Sequence, residues 1–120
     1  MGTIRLSRVY DQEPRPTGRV YLVERLWPRG VRREDVALDG WLKDLAPSAE
    51  LRRWFSHDPK KWAEFRRRYA VELDAHPHTW QALLRQARDV TLLYSSHDRE
   101  HNSAVALRDY LVARIAERND

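Results

Sequence analysis

Val90-Thr91-Leu92-Leu93-Tyr94, followed at once by Ser95-Ser96-His97-Asp98-Arg99-Glu100-His101-Asn102, is the stretch whose reading decides the fold. The first five residues predict a short apolar strand, and the abrupt change to polar side chains marks its exit. Beyond it, Leu107, Leu111 and Ile115 recur at helical spacing, so a helix follows. Working back, Thr79–Arg88 carries Trp80, Leu83, Leu84 and Ala87 with the same period. His76-Pro77-His78 separates it from a helix with Trp62, Phe65, Tyr69 and Leu73 on one face. Asp58-Pro59 opens that helix, because the carboxylate accepts amides that lack a helical partner and proline fits the first turn. Glu50–Phe55 predicts a shorter helix with Ser48 as its cap. Leu38–Leu45 predicts another, burying Leu38, Trp41, Leu42 and Leu45 and closed by Pro47.

Two strands precede these helices. Thr3–Tyr10 alternates through Ile4, Leu6 and Val9, and Arg19–Leu26 carries Val20, Leu22 and Val23. Asp11–Gly18, with Pro14, Pro16 and Gly18, is the loop between them. The predicted order is β-β-α-α-α-α-β-α. This is a small α/β domain of two or three layers, with flanking helices and a short, mostly parallel sheet of about three strands. The helical stretch between the second and last strands suits a parallel crossover. Asp11–Gly18 is short for one, which leaves the first strand either antiparallel or on an irregular path.

The chain of 120 residues has room for one domain and one core. Apolar residues make up 42% and charged residues 33%, a balance that predicts a packed interior under a highly charged exterior. The absence of cysteine excludes disulfides, thiolate metal ligands and a cysteine nucleophile. Met1–Tyr10 lacks the pattern of a secretory signal and no stretch approaches a membrane span, so a cytoplasmic protein is expected. The net charge of +4, carried mostly by arginine, favours acidic or phosphate-bearing partners.

In open α/β sheets ligands bind beyond the carboxyl ends of strands. That rule selects Glu24–Gly30, after the second strand, and Ser95–Asn102, after the last. Arg25 and Arg29 suit a carboxylate or phosphate, with Trp27 as a flat stacking face. The competing reading pairs the arginines with Glu24, Glu34 or Asp35. In the second cluster Asp98 stands where a helix cap would, free either to cap or to take part in chemistry. His101 and Asn102 then fall in the first turn, placed to exchange a proton and to orient a ligand. His97-x-x-Glu100-His101 matches a zinc-protease pattern, but it straddles the strand exit instead of lying within a helix, so no metal site is predicted. His57, beside Asp58, and Lys43, beside Trp41, are further polar candidates. Arg66-Arg67-Arg68 spreads around a helix and reads as a solvated face.

Arg25-Leu26-Trp27-Pro28-Arg29-Gly30, Leu42-Lys43-Asp44-Leu45-Ala46-Pro47-Ser48, Trp54-Phe55-Ser56-His57-Asp58-Pro59, and Leu92-Leu93-Tyr94 continuing through Asp98, Glu100, His101 and Asn102 occur in that order. Together they resemble the YeaO-like proteins of the domain-of-unknown-function 488 group over nearly the whole chain. The resemblance implies a compact bacterial α/β domain and a shared set of polar residues, without supplying an activity. More distant members of the group carry cysteines after the last strand. This chain has Ser95 at the strand exit and Asn102 at the helix start, so thiol chemistry does not transfer.

The function expected is the binding of a small anionic or nucleotide-like ligand between the two clusters. Arg25, Trp27, Arg29, Lys43, His57 and Asn102 are the binding candidates, His101 and Asp98 the catalytic ones, and no cofactor is implied. Spacing reveals no nucleophile–base pair, so whether the site performs chemistry stays open. Two alternatives stand beside this reading: a nucleic-acid-binding module using the arginine and tryptophan surface, and a protein-interaction domain whose polar motifs cap helices and lock turns.

Overall fold

Four parallel strands form one sheet in the order β1-β4-β2-β3, in a computed structural model that describes residues 3–11, 16–86 and 89–118. β1 (Ile4–Arg8) and β2 (Arg19–Leu22) both pair with β4 (Val90–Tyr94), and β3 (Gly40–Trp41) extends the sheet beyond β2. All five residues of β4 are buried, which its apolar run demands of a central parallel strand. The α/β class and the parallel sheet agree with the sequence, and the sheet has one strand more than expected.

The extra strand comes from Leu38–Leu45, which is not a helix. Asp39 accepts from the Val20 amide at 2.7 Å and donates its own to the Val20 carbonyl at 2.8 Å, and Gly40–Trp41 then continues alongside β2. Only Lys43–Leu45 coils, as one 3₁₀ turn. Helical spacing misleads here because the apolar residues serve two different interiors. Leu38 and Trp41 pack on one face of the sheet, Leu42 and Leu45 on the other.

β1 is parallel to β4 even though its connection to β2 contains no helix among the described residues. A strand of five residues spans only about 16 Å, and ten loop residues reach up to about 33 Å, so a loop suffices. The return path crosses β4, where the Thr91 hydroxyl donates to the Thr17 carbonyl at 2.8 Å and accepts the Thr17 amide at 3.3 Å. Gly18, at φ +69°, then turns the chain so closely past Asp89 that a Cβ would lie 2.3 Å from its carbonyl oxygen. Pro14, within the predicted loop, and Ala87 and Arg88, at the end of a predicted helix, lie outside the described residues.

The helices are α1 (Ala49–Phe55), α2 (Trp62–Ala75), α3 (His78–Gln86) and α4 (Ser103–Arg118). Ser48 caps α1 by accepting the Leu51 amide, and Asp58 accepts the Lys60 amide in the 3₁₀ turn that leads into α2. All four pack on the sheet face carrying Tyr21, Val23, Val90, Leu92 and Tyr94, where Phe65, Leu107 and Leu111 are fully enclosed. Val20, Leu22 and Leu93 face the other way and are covered by Val9, Trp27, Val36, Leu38 and Trp41 from loops and β3. The domain is therefore two layers of regular structure with a loop cover. Among the described residues no helix is long and apolar enough to cross a membrane.

Candidate functional site

Because β1, β2 and β4 are parallel, their carboxyl ends open on one edge, and a cleft of ≈ 680 Å³ lies there. Arg8 and Tyr10 reach it from β1, Glu24 to Trp27 and Arg29 from β2, and Ser95 to His97 from β4. Arg52, Phe55 and His57, in and just after α1, close the opposite wall. The two sequence clusters do meet, although their members are used differently.

Arg25 donates to the carbonyls of Pro47 at 3.2 Å and Ala46 at 3.4 Å, and pairs with no carboxylate among the described residues. Its guanidinium therefore pins the 46–47 segment through carbonyls alone. The Arg29 side chain is exposed and makes no hydrogen bond or ion pair with any described residue, and the same holds for Arg52. Arg32 does take carboxylate partners, Asp35 at 3.1 Å and Glu34 at 3.7 Å. Glu24 binds no arginine among the described residues. Its carboxylate accepts the Ser95 amide and the Ser95 hydroxyl, joining the exits of β2 and β4. Trp27 forms a half-buried wall, its indole N–H donating to Val31 at 2.6 Å and its ring meeting Trp41 edge-on at 5.3 Å.

His97 and His57 also reach the cleft. Arg8 places Nη2 3.1 Å from His97 Nδ1, and since guanidinium only donates, that ring nitrogen is the acceptor in the bond. His57 follows Ser56 in the left-handed region, at φ 55° and 46°, an unusual pair of non-glycine residues that ends α1 and sets the exposed imidazole at the cleft.

Asp98 and His101 do not line the cleft. Asp98 Oδ1 accepts the amides of Glu100 and His101, each at 2.9 Å, and Oδ2 lies 3.0 Å from His101 Nδ1. The Glu100 amide above all, then those contacts with His101, hold the Asp98 carboxyl below the usual carboxylate range. The His101 ring rests edge-on against Trp62 at 5.3 Å. The helix begins later than the sequence suggests: Asn102, 4% exposed, is its cap, accepting the Val105 amide and donating to the Asp98 carbonyl. Asn102 borders the cleft with both ends of its amide engaged. Lys43 lies elsewhere, its ammonium 4.0 Å from the centre of the Trp41 ring. Among the described residues no three histidine or acidic side chains converge so as to hold a metal ion.

Sequence reasoning missed Arg8, Tyr10 and Arg52 as site residues. Arg8 ends β1, so the strand-exit rule reaches it once β1 is known to be parallel. Arg52 carries no comparable signal, because it faces the cleft only through the way α1 docks. The Arg66-Arg67-Arg68 run is neutralised locally: Glu64 binds Arg67 at 2.7 Å and Arg68 at 2.8 Å, Asp109 binds Arg66 at 3.3 Å, and the arginines pull the Glu64 carboxyl down to about 2.

A small parallel α/β domain with a cationic cleft at its strand exits is the class this geometry defines. The chain belongs to the inactive DUF488-N3 subclade, whose family model matches residues 3–120. It is 40% identical over 110 residues to the uncharacterized protein YeaO of Escherichia coli (strain K12), covering 90% of this chain and 96% of that one. Over 70 residues it is 44% identical to the uncharacterized protein Rv3073c of Mycobacterium tuberculosis (strain ATCC 25618 / H37Rv), covering 58% of this chain and 59% of that protein. No solved structure matches it. The YeaO-like resemblance read from the motifs is thereby borne out.

Proposed function

We propose that the chain binds a small anion in the strand-exit cleft and holds it without converting it. One observation carries the reading: Arg8, Arg25, Arg29 and Arg52 border a cleft whose one acidic lining residue, Glu24, is bonded to Ser95. Four guanidinium groups thus outnumber the single carboxylate among the described lining residues, and low-dielectric walls focus such a field on a negative ligand. Retention without conversion is supported by the hydrogen bonding. Asp98 and His101 bond to each other outside the cleft, and Ser95 has no histidine partner among the described residues. The description of the subclade as inactive agrees with this reading.

The test is a thermal-shift panel at fixed ionic strength, comparing phosphates, nucleotides, small carboxylates and short single-stranded RNA, repeated with Arg29→Ala and Arg52→Ala. Both side chains are exposed, so the variants should fold normally. Stabilisation by a small anion should follow RT ln(1 + [L]/Kd). Each variant should weaken it about tenfold or more, the worth of one charge-assisted hydrogen bond. No shift with any anion, or a shift untouched by both variants, would overturn the proposal. Stabilisation by RNA alone, steeply lost with salt, would favour nucleic-acid binding instead.

A further inference from the structure

The cleft is larger and more apolar than a bare anion needs. Its ≈ 680 Å³ falls within the roughly 300–1,000 Å³ of sites that enclose organic molecules, and it dwarfs an inorganic phosphate. Phe55 and Phe65 border it with rings stacked 4.3 Å apart, both otherwise buried in the core. At the same cleft stand two of the four large apolar side chains that the described residues leave exposed, Tyr10 at 42% and Leu26 at 60%.

Neither residue packs into an apolar core. Tyr10 is fixed at its position, its hydroxyl donating to the Arg29 carbonyl at 2.8 Å and its ring facing the Arg8 guanidinium at 4.7 Å. Arg29, beside them, brings charge to the same stretch of wall. An apolar surface beside an exposed guanidinium that pairs with no described residue, Arg29, is complementary to a molecule built the same way.

Resting on the anion-binding reading above, we infer that the ligand is an amphiphilic organic anion, a phosphate or carboxylate carried on a flat apolar body that lies against Tyr10 and Leu26. The charged group meets Arg29 and Arg52, and the body displaces water from the apolar wall. Burying an aromatic ring there should raise affinity by roughly tenfold or more over the bare head group.

Isothermal titration with inorganic phosphate, phenyl phosphate, 2-naphthyl phosphate and neutral 2-naphthol tests this, in the natural protein and in Tyr10→Ser and Leu26→Ser. Affinity should rise from phosphate through phenyl to naphthyl phosphate. The preference for naphthyl over inorganic phosphate should shrink about threefold to tenfold in each variant, with unchanged far-ultraviolet circular dichroism. Equal affinity for inorganic and aryl phosphates overturns the amphiphile and leaves the anion site standing. Equal affinity for naphthol and naphthyl phosphate overturns the anion site, and binding of none of the four overturns the amphiphile. A preference that both variants leave intact removes Tyr10 and Leu26 from the inference and overturns it.

Discussion

Glu24–Gly30 and Ser95–Asn102 leave the same edge of the sheet with similar mixtures of charge, yet they end in different employment. The first continues into loop, where few amides need partners, and Arg25, Trp27 and Arg29 all reach the cleft. The second leads into the sixteen-residue α4, whose first amides lie next to it. Asp98 and Asn102 are bonded to backbone, and His101 to Asp98. Two polar stretches of equal promise differ because a helix start claims nearby carboxylates and amides before any ligand can.

The largest effect expected from this comparison is on Asn102. Asn102→Ala removes a buried cap and leaves the Val105 amide unpaired, so urea denaturation should show a loss of about 2 kcal/mol with an unchanged m value. A variant of full stability that instead lost anion affinity would reverse the roles assigned to the two clusters. A smaller effect concerns acid. The carboxyls of Asp98, Asp11 and Glu64 all lie below their ordinary values in the folded protein, drawn down mainly by the Glu100 amide, by Arg99 and by Arg67, respectively. Groups depressed in this way stabilise the fold above their unfolded values near 4, and lose that contribution as pH falls through the folded ones. The urea midpoint should therefore be level near neutrality and fall from about pH 4.5 downward, with the slope shallower in Asp98→Ala. A midpoint that fell equally steeply in the variant would show that Asp98 is not held by its amide contacts. The smallest effect is at Lys43, which rests on Trp41 outside the cleft. Lys43→Ala should leave anion affinity unchanged and cost at most about 1 kcal/mol, measured by the same titration and denaturation. A tenfold loss of affinity would extend the site beyond the cleft.

What was legible in the sequence was local. β4 and α4 follow from one apolar run and one helical period, and the strand-exit rule located both polar clusters. Leu38–Leu45 was misread because periodicity records which residues are buried and not which interior buries them; Asp39 and Gly40 were the available hint, since neither favours a helix interior. The placement of β1 was unreadable for a related reason, its partner being β4 at the far end of the chain. Arg52 and the Phe55–Phe65 wall of the cleft come from helix docking, so in sequence they look like any helical surface and any helical core.

The insertion of β4 between β1 and β2 also governs when the molecule can exist. Thr3 and Asp89, which bond across the start of the sheet, are 86 residues apart, so most of the chain must be made before its first strand finds a partner. Such high contact order slows folding relative to a helical bundle of similar length. During synthesis β1 waits with no partner strand and β2 with β3 alone, and the arginines of the cleft remain dispersed until Val90–Tyr94 arrives. Loss of that one strand from a shortened chain would remove the link between the two N-terminal strands, so occupancy of the cleft would report that the chain is whole through β4.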